Sequence, residues 1–157
     1  MVVRHVPTHT FHHQAQGATM NTIVVGTDQS SQAKSAVEKA VQMATLFGAP
    51  LHIVTAVPFA TVPDIAGGMD FTLFDTFDDA ERALADLAAT ITDVPVTTAT
   101  VRRDPATALC EEATRLDASL IVVGNKRVQS IGRILGSVAT NVAKSAPCDV
   151  YIAHTYG

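Results

Sequence analysis

Two short stretches carry the residue types from which a phosphate site can be built. Gly26-Thr27-Asp28 follows one apolar run, and Gly124-Asn125-Lys126-Arg127 follows another and leads to Gly136-Ser137. Both stretches begin with glycine, whose missing Cβ lets backbone approach a ligand closely. Gly136-Ser137 opens a helical pattern, with Val138, Ala139 and Thr140 in its first turn. The unpaired amides and positive dipole end of such a helix attract anions. The Ser137 and Thr140 hydroxyls can add to them. A phosphate there, with a ribose near Asp28, is one reading; a solvated turn between strand and helix is the other. Asp28 likewise reads either as a ligand group or as the cap of the next helix.

Other chemistries find less support. There is no G-x-x-x-x-G-K-[ST], and GTDQSS after the first apolar run is not the dinucleotide G-x-G-x-x-G. No Ser/His/Asp or Cys/His pairing stands out, so no catalytic residue is assigned. His52 sits inside an apolar run and reads as a packed or edge histidine, and His154 as a solvated strand end. Cys110 and Cys148 match no metal or redox spacing, and two small buried thiols in a reduced, cytoplasmic setting account for them. His5, His9, His12 and His13 fall within the first nineteen residues, MVVRHVPTHTFHHQAQGAT, which show no periodicity. They offer metal-ligand types, but a disordered or non-native leader over 1–19 is the simpler account. The domain proper then spans 20–157. A net charge of −4 provides no broad phosphate-neutralising face, which argues against nucleic acid as partner. No apolar run approaches the ~20 residues of a membrane span.

The elements that must position these loops alternate regularly. TIVVGT, LHIVTAV and SLIVVG are continuous β-branched runs, as expected of strands covered on both faces. Between the first two, Ala33, Ala36, Val37, Ala40, Val41 and Ala44 recur at helical spacing, capped by Ser30 or Ser31 and stopped by Gly48 and Pro50. After a loop holding Pro58, Pro63, Gly67 and Gly68, Thr76 with Asp79 opens a second helix that turns Phe77, Ala80, Leu84, Leu87 and Ile91 inward. VTTATV is a third strand, alternating and nearer an edge. Asp104-Pro105 starts a third helix to about Leu116. Ser137 to about Ser145 is the fourth helix, and Asp149 to His154 the fifth strand. Right-handed crossovers fold this order into an open, doubly wound, mostly parallel α/β sheet, strand order 3-2-1-4-5, helices on both faces. The fifth strand either completes the sheet or serves a subunit contact. The sheet ends after strands one and four then meet at the switch point, where ligands bind.

Over nearly everything after Met20 the chain resembles the universal stress protein family. The resemblance is carried by IVVGTDQSSQAKSAVEKAVQMA, LHIVTAV, ADLAA and ASLIVVGNKRVQSIGRILGSVATNVAKSAPCDVYIAH. The family's ATP-binding branch carries Gly, two residues, Gly, nine residues, then Gly and Ser or Thr. Here Gly124 and Gly136-Ser137 stand at the two ends, Arg127 replaces the middle glycine, and the gap is one residue shorter. The resemblance implies a Rossmann-like nucleotide-binding stress-response switch with little or no hydrolysis, taking ATP, with Mg2+ where it is needed. Thr27 and Asp28 would border the adenosine and Ala56 the adenine. Gly124, Asn125, Gly136, Ser137, Val138 and Thr140 would hold ribose and phosphates, and Arg127 would meet the phosphate tail by charge or else obstruct it. The shortened loop also suits the smaller phosphate of cAMP or AMP. A dimeric interaction protein with an empty pocket is the alternative from another class. A homodimer through DVYIAHTYG is expected, because that strand would be an edge without blunting lysine or proline.

Overall fold

The computed structural model describes residues 20–58, 71–125 and 135–154. The histidine-rich leader, the loop with Pro63, Gly67 and Gly68, and Lys126, Arg127 and Gly132 lie outside the described residues. The elements alternate from end to end: β1 (Ile23–Gly26), α1 (Ser31–Phe47), β2 (Leu51–Ala56), α2 (Phe71–Ala89), β3 (Val96–Val101), α3 (Pro105–Arg115), β4 (Leu120–Asn125), α4 (Ser137–Ser145) and β5 (Asp149–His154). They form one five-stranded sheet in the order β3-β2-β1-β4-β5. Every neighbouring pair is parallel; β1 is flanked by β2 (Ile23 opposite Leu51) and by β4 (Ile23 opposite Leu120). The predicted order is therefore the observed one, with β5 in the sheet.

The unbroken apolar runs have a direct cause. Alternate residues of each central strand serve opposite faces, and both faces are covered. Ile23, Val25, Leu51, Ile53, Leu120 and Val122 pack beneath α1 and α2. Val24, Val54, Ile121 and Val123 pack beneath α3 and α4. The helices meet the sheet largely through alanine, as with Ala36, Ala40 and Ala44 of α1, none of which is exposed. Small side chains let helix and sheet backbones come close, which is why the core needs few aromatics.

Helix ends follow local chemistry. Ser30, the first of the two candidate serines, caps α1 by accepting from the Ala33 amide, and Gly48 ends it in the left-handed region at φ 63°. Asp104 caps α3 by accepting from the Thr107 amide, with Pro105 in the first turn. The second helix differs from expectation. It begins at Phe71 rather than at Thr76 and ends at Ala89, leaving Ile91 beyond it though still packed on the core. Phe71-Thr72-Leu73-Phe74-Asp75 contains no glycine or proline to stop a helix. Thr76 is thus an interior threonine, and its capping-type side chain gave a misleading start signal.

Candidate functional site

Because β1 and β4 are neighbours, the chain leaves their carboxyl ends in opposite directions. From β1 it goes to α1 on one face, and from β4 it reaches α4 on the other. The divergence leaves a cleft of ≈ 380 Å³, within the size range of small-molecule sites. Its floor is Gly26, Thr27 and Gly124, and its apolar side includes Val54, Ala56, Leu109 and Val123. Asp28 and Gln32 supply polar groups on the α1 side, and Gly136, Ser137, Val138 and Ala139 bring the start of α4 to the other.

The start of α4 has geometry that can receive an anion. Gly136 occupies the cap position in extended geometry (φ −61°, ψ 156°) and brings no side-chain cap. Its own amide donates to Asn125 Oδ1 at 3.3 Å, which ties the helix start to the end of β4. Intrahelical bonding begins with the Thr140 amide donating to the Gly136 carbonyl at 2.9 Å. The amides of Ser137, Val138 and Ala139 precede it, without an acidic residue in the first turn to answer them.

Across the cleft the β1 loop is pre-set. The Thr27 amide donates to the Val54 carbonyl, its Oγ1 accepts from the Gln29 amide, and its carbonyl accepts from Thr55 Oγ1. Gln29 lies at φ 63°, an uncommon place for a side chain with a Cβ. Asp28 Oδ1 accepts from the Ser30 amide at 3.1 Å and from Ser30 Oγ at 2.5 Å. Asp28 therefore does not cap α1 itself; it orients the serine that does, and that bond fixes its carboxylate at the cleft.

Of the residues singled out in the sequence, Thr27, Asp28, Ala56, Gly124, Gly136, Ser137 and Val138 line this cleft. Asn125 stands behind it through its bond to Gly136. Thr140 lies one turn along α4 and is not among the lining residues. Arg127 is outside the described residues. The whole α3 wall was missed. A Cβ on Gly26 would stand 3.0 Å from Leu109 Cδ1, so this glycine is where α3 leans onto β1. The signal for it was the glycine closing the first apolar run, read only as room for ligand.

His52 is packed, as its setting in an apolar run implied, and also engaged. It is 2% exposed, with Nδ1 2.7 Å from Thr97 Oγ1 and Nε2 2.8 Å from Glu112 Oε2. Arg115 donates to both oxygens of the same carboxylate. Burial holds the His52 ring below its ordinary value, outweighing the opposing pull of Glu112. Hydrogen bonds from Arg115, then from His52, hold Glu112 below the usual carboxylate range. Both shifts have one sign for stability. An unfolded chain takes up a proton on histidine, then on glutamate, at higher pH than the folded one does. Stability is thus full above the ordinary histidine pKa and is lost as pH falls through it, then further through the carboxylate range. We expect the urea midpoint to drop between about pH 7.5 and about pH 5, and His52→Gln to show a smaller drop over that interval. Equal drops would remove His52 from the account.

Among the described residues no three His, Cys, Asp or Glu side chains group as a metal site, and no helix is long and apolar enough to cross a membrane. Residues 19–154 match the model of the universal stress protein family. The chain belongs to that family. A universal stress protein of Mycobacterium tuberculosis is 34% identical over 148 residues, which cover 85% of this chain and 96% of the relative. Among solved structures, UspA of Lactobacillus plantarum is 26% identical with a TM-score of 0.71, covering 86% of this chain and 98% of its own. A universal stress protein crystallised in complex with cAMP is 34% identical with a TM-score of 0.64, covering 88% of this chain and all of its own. These likenesses give this universal stress protein the doubly wound fold described above.

Proposed function

We propose that this universal stress protein binds an adenine nucleotide in the cleft between β1 and β4, and acts as a stress-response switch in the cytoplasm. The observation that carries the reading is the α4 start, whose cap residue Gly136 brings no side chain, facing Asp28 across an apolar-sided cleft. The base lies against the side formed by Ala56 and Val54. The ribose hydroxyls donate to the Asp28 carboxylate. The phosphate takes the amides of Ser137, Val138 and Ala139 and the Ser137 hydroxyl. ATP is the first ligand to consider, with Arg127 reaching its phosphate tail and any Mg2+ held mainly by the phosphates. Asp28 is the single carboxylate among the described lining residues, and no histidine is among them. Its Oδ1 is already committed to Ser30. Little hydrolysis is expected, and the bound state rather than turnover is the output. A cyclic mononucleotide is the second reading, supported by the 34% identical relative solved with cAMP and by the fit of one phosphate to one helix end.

Calorimetric titration with ATP, ADP, AMP and cAMP tests both, after any nucleotide carried through purification is released by denaturation and identified. Saturable binding of one of them is expected. Failure of all four to bind would leave the dimeric interaction protein with an empty pocket.

The proposal includes a homodimer through β5. Among the described residues that strand is a sheet edge, paired to β4 on one side, and Tyr151 on it is 37% exposed. Pairing two such edges about a two-fold axis closes the contact. Light scattering at micromolar concentration should give twice the 16.5 kDa chain mass, and Tyr151→Lys should return the single-chain mass. A wild-type monomer would end this part of the proposal.

A further inference from the structure

The His52 cluster lies beneath the same helix that walls the cleft. Glu112 follows Leu109 by three positions on α3, one turn along the same face of an 11-residue helix. Leu109 leans over Gly26 at the cleft floor, while Glu112 fastens the helix to β2 through His52. Any change at the fastening therefore reaches the cleft through one short rigid element. The fastening has a particular charge count. A single carboxylate serves both Arg115 and His52, so the trio is neutral when the ring is neutral and carries one excess positive charge when it is protonated. The groups facing the ring are Glu112 and Arg115 from α3 and the Thr97 hydroxyl from β3; the paired position on β1 is Val24. None of them supplies a second negative charge. An excess charge on a ring this buried is costly, and the cost is relieved when α3 lifts and water reaches the ring.

We propose that His52, Glu112 and Arg115 form a proton-sensitive latch, so that acidification loosens α3 and, with it, the Leu109 wall of the cleft. Nucleotide affinity then falls with pH although no titrating group of the latch touches the ligand. The effect on affinity rests on the nucleotide reading of the cleft; the loosening of α3 does not.

Two variants separate the latch from general acid sensitivity. His52→Gln keeps an amide donor for Glu112 and an acceptor for Thr97 but does not titrate. Arg115→Gln alters a side chain that is 57% exposed and leaves the carboxylate to a protonated His52 alone. The first readout is hydrogen exchange of the α3 amides in the ligand-free protein, corrected for intrinsic rates, at about pH 7.5 and about pH 5.5, either side of the ordinary histidine pKa. The second is the dissociation constant for cAMP at the same two values, since its phosphodiester does not titrate there. In the wild type, α3 protection and cAMP affinity should each fall about three- to tenfold on acidification. In both variants they should stay level or fall much less. Unchanged α3 protection in the wild type overturns the latch, as does the same fall in His52→Gln. If cAMP fails to bind at either pH, the cyclic-nucleotide reading fails, and α3 exchange alone decides the latch.

Discussion

Gly136→Val is expected to abolish nucleotide binding while leaving the fold intact. The backbone at this position is extended, at φ −61° and ψ 156°, so a residue with a Cβ adopts it without strain. The position lines the cleft directly before the first amides of α4, where valine adds a branched side chain to the place that the proposed phosphate would share with backbone. The loss should be at least ~100-fold in dissociation constant, about 2.7 kcal/mol. Valine is a poorer cap residue than glycine, so a cost of about 1 kcal/mol to stability accompanies it. Ser137→Ala removes one hydroxyl and keeps the amide, and should cost only about 1 kcal/mol in affinity, near fivefold. Calorimetry on the folded variants, with circular dichroism to confirm the fold, checks both. Unchanged affinity in Gly136→Val would place the ligand away from α4.

Ile121→Ala is expected to cost about 2–5 kcal/mol of stability. Ile121 is fully buried on β4, opposite Val24 of β1, in the layer beneath α3 and α4. Helices pressed close through small side chains have little room to collapse into the space an isoleucine leaves. Set against the ~5–15 kcal/mol that holds a domain together, this single change takes a large share. The urea midpoint should fall with an unchanged slope. A loss below about 1 kcal/mol would mean that the layer repacks freely.

Much of the architecture was readable because strong local signals agreed with one another. A strand covered on both faces must be apolar at every position, so TIVVGT and SLIVVG announced the sheet centre, and the alternation of elements left one sensible winding. Asp104-Pro105 and Gly48 marked helix ends through backbone chemistry that operates within a few residues. The start of α2 differs for the same reason in reverse, since Thr76 and Asp79 look like a cap although nothing in Phe71 to Asp75 stops a helix from starting earlier. Of the site, the two loops were legible because glycine, hydroxyl and carboxylate types sit together in sequence. The α3 wall was not, because Leu109 meets Gly26 only through tertiary packing. The partnership of His52 with Glu112, 60 positions away, has no local trace at all.

The placement of β1 between β2 and β4 has a consequence for how the chain is made. During synthesis β1, α1 and β2 emerge early and can pair at once, but the other edge of β1 waits for Leu120 to Asn125. The contacts that tie this edge down include the Asn21 amide donating to Ser119 Oγ, 98 positions along the chain. Ordering so long a loop comes before the pairing that rewards it, and parallel pairing of distant strands is slow. Until then Ile23, Val24 and Val25 present an apolar strand with one unpaired edge, on which nascent chains can associate. The floor of the cleft comes from the ends of β1 and β4 and its far lip from the start of α4, so a nascent chain has no cleft until α4 has emerged. The proposed ligand could then be captured only by a chain whose β4 and α4 have joined β1.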